Sequence, residues 1–169
     1  MIKKMKGTLL VLMFILPAAV FAASNPDAFF YKNAAEDGIA EVAAGRLAQD
    51  KGNSQPVKDF GAMMVRDHSA ANEQLQSLAA SKNITLPTGT SVGRMATKAK
   101  LEVLSGDTFD RSYVRSQISA HRQTIDLFHK EMSFGQDADA KAYAAATLPT
   151  VRSHLKAIIA IATDMGIGV

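Results

Sequence analysis

The stretch from Val57 to Leu78 narrows what this chain can fold into. Val57, Phe60, Met64, His68, Ala71, Leu75 and Leu78 recur at steps of three or four and share one stripe of an α-helix. Lys58, Asp59, Arg66, Asn72, Glu73 and Gln76 take the opposite face. A helix with one apolar stripe must bury it against another element. Its single polar member, His68, then needs a hydrogen-bond partner, a metal or a cavity, because an imidazole left alone in an apolar seam is costly.

Two later segments repeat the pattern. Between Asp107 and Gly135 the stripe is Val114, Ile118, His121, Ile125, Phe128 and Met132. From Asp137 to about Met165 it is Ala140, Ala144, Thr147, Val151, His154, Ile158 and Ile161, with Pro149 predicting a kink one turn before His154. Each stripe again carries one histidine in mid-seam. An earlier helix is predicted from Pro26 to Lys51, with Asn25 as N-cap, Pro26 in the first helical position and Gly52 past the end. Its stripe is Phe30, Ala34, Ala40, Ala44, Leu47 and Ala48. Asp37 reads as a solvated flank of it, and Glu41, between Ala40 and Ala44, as closer to the seam.

Connections set the topology. Only Gly52-Asn53-Ser54 separates the first two helices, so they form an antiparallel hairpin. The link from Asn83 to Gly106 reads as extended through Ile84 to Thr90. A short helix from about Gly93 to Leu104 follows, its Met95, Leu101 and Leu104 facing the bundle. Such a link is long enough to cross the full length of a bundle. Asp107 and Asp110 read as a capping-box-like pair for the next helix. The expected fold is all-α: a ferritin-like antiparallel four-helix bundle with a long connection, containing a short helix, between its second and third long helices.

Residues 1–22 read as a signal peptide: Lys3, Lys4 and Lys6, an apolar run from Thr8 to Val20, then Val20-Phe21-Ala22 at the cleavage position. The run is short for a membrane span of roughly 20 residues. Residues 23–169 form a single domain, expected to be periplasmic, with outer-membrane association open and no integral span after processing. Cleavage removes three lysines and no acids, leaving 16 basic against 16 acidic side chains. A basic protein that binds nucleic acid is therefore not expected. With no Cys, the chain has no disulfide framework, no thiolate ligand and no cysteine nucleophile. No phosphate-binding glycine loop or nucleophile elbow is present either.

The chemistry lies in the seams. At 1.5 Å per residue, Glu41, His68, His121 and His154 all come out roughly 16–21 Å from the first turn, one from each long helix, whichever way the long link runs. Imidazoles with one carboxylate suit Zn, Fe, Mn or Cu. The other reading is a buried polar network without metal. Asp126 and His129 form the one acidic-x-x-His spacing, off the seam, and no Glu-x-x-His occurs, so a standard di-iron centre is not expected. Asp67 reads as a surface charge beside Arg66. Tyr31, Tyr113 and Tyr143 read as seam-edge packing with hydroxyls in solvent. Function divides accordingly between a metal-binding or metal-handling protein and an envelope interaction or stress-protection protein whose histidines are structural.

Several motifs then fall together: Asp27-x-x-Phe30, Glu41-Val42 with Leu47-Ala48, Val57-Lys58-x-Phe60, and Met64-Val65-x-Asp67-His68. Further along come Ile84-x-Leu86-Pro87, Phe109-Asp110-x-x-Tyr113-Val114, His121, and Leu148-Pro149-x-x-x-x-His154-Leu155. From Asp27 to about Ala162 the chain resembles the bacterial secreted family known as domain of unknown function 4142, some of whose members are called outer membrane proteins. The resemblance implies a four-helix bundle of the ferritin-like group in the cell envelope. It implies no activity.

Overall fold

The computed structural model describes residues 26–168; the signal segment and Asn25 lie outside them. Five helices follow one another among the described residues: α1 (Pro26–Lys51), α2 (Gln55–Ser81), α3 (Val92–Glu102), α4 (Gly106–Phe134) and α5 (Ala138–Asp164). The four long ones pack in a ring, α1 against α2 and α4, α5 against α2 and α4. The shorter α3 lies along α1 and α4.

Hydrogen bonds at the ends fix the directions. Asp110, near the start of α4, accepts from the backbone N–H of Asn53 (2.9 Å) and Ser54 (2.8 Å) in the first turn. Arg111 donates to the carbonyl of Met165 at the end of α5. Asp27, at the start of α1, accepts from Gln136 and Asp137 in the α4–α5 turn. So α2 and α4 run parallel, α1 and α5 run against them, and residues 82–105 cross the length of the bundle. Asp110 is thus no partner of Asp107 in a capping box. It is 1% exposed and satisfies the orphan donors at the start of α2 from a different helix. The N-cap position of α4 is Ser105.

The seam of α1 differs from the apolar stripe expected of it. Its buried residues are Phe30, Tyr31, Ala34, Ala35, Gly38, Glu41, Gly45 and Ala48, whereas Ala40, Ala44 and Leu47 are only half-buried. The glycines allow α1 and α2 to meet closely: a Cβ on Gly61 would stand 2.6 Å from the carbonyl oxygen of Gly45. On α3, Leu101 is buried as expected but Met95 is half-exposed. Pro149 sits inside α5 on an exposed position, and Ala145, whose carbonyl it cannot bond, is exposed too. At the far end Glu131 is buried beside Asp27, in space that exists because residue 135 is glycine. Burial and the Asp27 carboxyl push its own carboxyl up to about 7.

The buried apolar residues form two clusters rather than one. The first gathers Phe30, Tyr31, Leu75, Phe128, Ala144 and Val151 near the α4–α5 turn. The second gathers Val57, Phe60, Met64, Phe109, Val114 and Ile158 near the α1–α2 turn. Glu41, His68, His121 and His154 fall in the sequence gaps between them on all four long helices. If the α1–α2 approach holds the hairpin, Gly61→Ala should lose about 1–3 kcal/mol in urea unfolding. Gly93→Ala, where a Cβ meets nothing within 4 Å, should stay within about 0.5 kcal/mol of wild type. An unaffected Gly61→Ala would contradict the close approach.

Candidate metal centre

The three seam histidines meet in the interior. Their ring centroids form a nearly equilateral triangle, 5.4 Å for His68–His154, 5.5 Å for His121–His154 and 5.9 Å for His68–His121. One nitrogen from each lies within 4.8 Å of the others, and all three residues are buried. Phe60 packs near edge-on to His121 and His154, at 6.1 and 6.5 Å between centroids.

Second partners settle which nitrogens are available. The Nδ1 of His121 is 2.9 Å from the carbonyl oxygen of Gln117, one turn earlier on α4. A carbonyl only accepts, so Nδ1 carries the proton and Nε2 of the neutral ring keeps its lone pair. The Nε2 of His154 is 2.9 Å from Oδ2 of Asp67. Burial opposes ionisation of Asp67, but hydrogen bonds from Arg66 and His154 outweigh it and hold the carboxyl below its usual range. It therefore accepts the His154 proton, and Nδ1 of that ring keeps its lone pair. Asp67 is accordingly more than the surface charge expected of it. It bonds Arg66 on the outside and orients a buried imidazole on the inside, the arrangement that fixes metal-ligating histidines.

His121 Nε2, His154 Nδ1 and His68 Nε2 are all buried without a hydrogen-bond partner. Two of them are acceptors, and His68 could at most donate one proton, so the three cannot satisfy each other. A buried lone pair calls for a donor or a cation. A proton is disfavoured at neutral pH: burial pushes the His68 imidazole down to about 4 and lowers His154 as well. A metal ion meets the requirement. Tetrahedral Zn–N bonds of 2.0–2.1 Å place nitrogens roughly 3.3 Å apart, so nitrogens within 4.8 Å of one another need close by at most about 1.5 Å.

Glu41 is 3% exposed and its Oε2 has no partner. It lies outside the set of atoms that meet within 4.8 Å, yet its charge acts on both His68 and His154. The hydroxyl of Tyr113 and Oε1 of Gln117 are also buried without partners, and Gln117 was not singled out in the sequence. Tyr113 was expected to reach solvent; burial and then the Glu41 charge instead raise its hydroxyl well above the ordinary tyrosine value. Tyr31 donates to Asp137 and Tyr143 to the Ala71 carbonyl, so neither of those hydroxyls points simply to water. Asp37 is also no solvated flank, since it pairs with Arg94 of α3 and accepts from Thr124. His129 is exposed and accepts from Arg152, away from the layer.

Fold and site together define a helical bundle whose core is split by a buried layer of imidazoles. The chain belongs to the family described as domain of unknown function DUF4142, whose model matches residues 16–161. Among solved structures it is similar to a DUF305 fragment from Deinococcus radiodurans, with 10% identity and a TM-score of 0.72 over 82% of this chain and 95% of that one. It is likewise similar to a DUF305 protein from Streptomyces coelicolor, with 14% identity and a TM-score of 0.71 over 86% of this chain and 97% of that one. At such identities the likeness concerns the fold alone. No curated protein matches the chain.

The low His68 value makes a prediction for metal-free protein. An unfolded histidine titrates near 6.5, so as pH falls below that the unfolded state takes up a proton the native state refuses. The stability contributed by neutral His68 is complete above about 6.5 and is lost as pH falls toward about 4. Urea unfolding at pH 7 and pH 5 should therefore show a smaller loss for His68→Gln than for wild type. Equal losses would mean that this imidazole is charged in the native state.

Proposed function

We propose that this chain is a secreted metal-binding protein of the cell envelope, a ferritin-like bundle that holds one Zn, Fe, Mn or Cu ion in its polar layer. His68, His121 and His154 are the imidazole ligands, and Glu41 supplies the fourth ligand and the balancing charge. One observation carries the reading: three buried imidazoles each offer a nitrogen within 4.8 Å of the others, one nitrogen of each ring is buried without a hydrogen-bond partner, and two of the rings have their other nitrogen committed to an acceptor. A purely structural network would pair its members, and the unpaired nitrogens support a cation site instead. The leader-like residues 1–22 support export, and among the described residues no helix is long and apolar enough to cross a membrane. Handling of the metal rather than turnover of a substrate is the role proposed, and no catalytic step is assigned.

Metal that binds only the folded state, at a hundred times its dissociation constant, adds about 2.7 kcal/mol of stability. Tag-free protein should gain about that much with its metal, and chelator should reverse the gain. His68→Ala, His121→Ala and His154→Ala should each remove most of it, whereas His129→Ala should leave it intact. Thermal melts that ignore chelator and all four metals would leave the histidines a structural role and sink the proposal.

A further inference from the structure

The end of the bundle at the α4–α5 turn holds a buried carboxyl for which the metal centre has no use. Glu131, in the last turn of α4, is 2% exposed, and no N–H or O–H donates to either of its oxygens. It fits there because residue 135 has no side chain, since a Cβ on Gly135 would run into its Oε1. What it meets is a second carboxyl, that of Asp27 in the first turn of α1. Asp27 also accepts from the backbone N–H of Gln136 (2.8 Å) and Asp137 (3.1 Å) in the α4–α5 turn. The neighbouring charges do not neutralise the pair. Asp137 adds a third carboxylate, bound to the Tyr31 hydroxyl and to Lys82, and Lys82 is shared with Asp139. From α5 only Lys141 opposes the negative charge on Glu131.

Two carboxylates in contact repel, and each offers only acceptors, so one proton between them removes the repulsion and supplies the missing donor. Two backbone N–H groups favour the anionic form of Asp27, which leaves the proton on Glu131. We infer that Glu131 and Asp27 share one proton and that this proton works a latch. While it is present, the pair fastens the start of α1 to the end of α4 and the α4–α5 turn. When it passes to solvent, the two carboxylates repel and the turn is released. Burial and the Asp27 carboxyl set the release at about 7. An unfolded glutamate titrates near 4.5, so above that the unfolded state gives up a proton that the native state keeps. The stability the latch contributes is complete below about 4.5 and is lost as pH rises toward about 7, opposite in sign to the effect of His68. None of this requires a metal.

Carbon-13 NMR of the glutamate carboxyls in metal-free protein, titrated through the carboxylate and histidine ranges, tests the latch. Glu131 should titrate near 7, and the backbone amide signals of Gln136 and Asp137 should move with the same midpoint. Glu131→Gln, whose amide can donate where the acid O–H did, should abolish that movement. Asp27→Asn keeps an oxygen for the turn but removes the charge, and should weaken the hold of Glu131 on its proton by about tenfold or more. His129→Gln, two positions away on α4, should leave the transition in place, which separates it from the titration of an imidazole. A Glu131 carboxyl that titrates near 4.5 would overturn the shared proton. Titration near 7 with Gln136 and Asp137 signals that do not move would overturn the latch.

Discussion

Three buried imidazoles meet in the middle of a bundle, with at most one proton to share among their unpartnered nitrogens, and much of the architecture follows from that. Among the described residues, six of the nine buried side-chain atoms without partners lie on Glu41, His68, Tyr113, Gln117, His121 and His154. Buried orphans normally cost about 1–3 kcal/mol each. Their concentration at one level, with apolar packing above and below, supports the proposed cation site over scattered imperfection. The proton is a poor occupant, because the burial that isolates the rings also depresses His68 and His154.

Alignment of the layer depends on contacts made far from it. A slip of one helical turn moves a side chain about 5.4 Å along the axis, which would dissolve a triangle of this size. Asp110 ties α4 to the first turn, and Arg111 ties α4 to the end of α5. Asp27 ties α1 to the α4–α5 turn, where Lys82 also pairs with Asp137 and Asp139. Each is a charged side chain spanning two helices at an end of the bundle. The crossing segment adds α3 as a cover on α1 and α4, held by Arg94 to Asp37, by Thr90 to the Glu36 carbonyl and by Lys51 to the Glu102 carbonyl. That cover creates a groove on the Glu41 side and leaves the Asp67 side of the layer to α2 and α5 alone.

The helices and the level of the histidines were legible in the sequence because both depend on spacing. A stripe of period 3.6 and a rise of 1.5 Å per residue are properties of the local chain. What escaped depends on partners distant in sequence. Gly38 and Gly45 carry no hydrophobic signal, so the α1 seam was read through Ala40 and Ala44 instead of through them. Asp67 and His154 are 87 residues apart, and Asp110 and Asn53 are 57 apart. A carboxylate's role in such pairs is set by tertiary packing. The hidden hydroxyl of Tyr113 had a faint cue, since it lies on the same face of α4 as Gln117 and His121 at steps of four. That face reads as polar at two of its three positions, on a helix whose stripe is otherwise apolar.

The most direct test of the central claim reads the ring nitrogens themselves. Nitrogen-15 NMR of histidine side chains, taken before and after one equivalent of zinc, reports which nitrogen carries a proton and which carries a metal. The structure predicts coordination shifts at Nε2 of His68, Nε2 of His121 and Nδ1 of His154. The protons on Nδ1 of His121 and Nε2 of His154 should stay in place on Gln117 and Asp67. Shifts confined to His129, or rings that do not respond at all, would contradict the account.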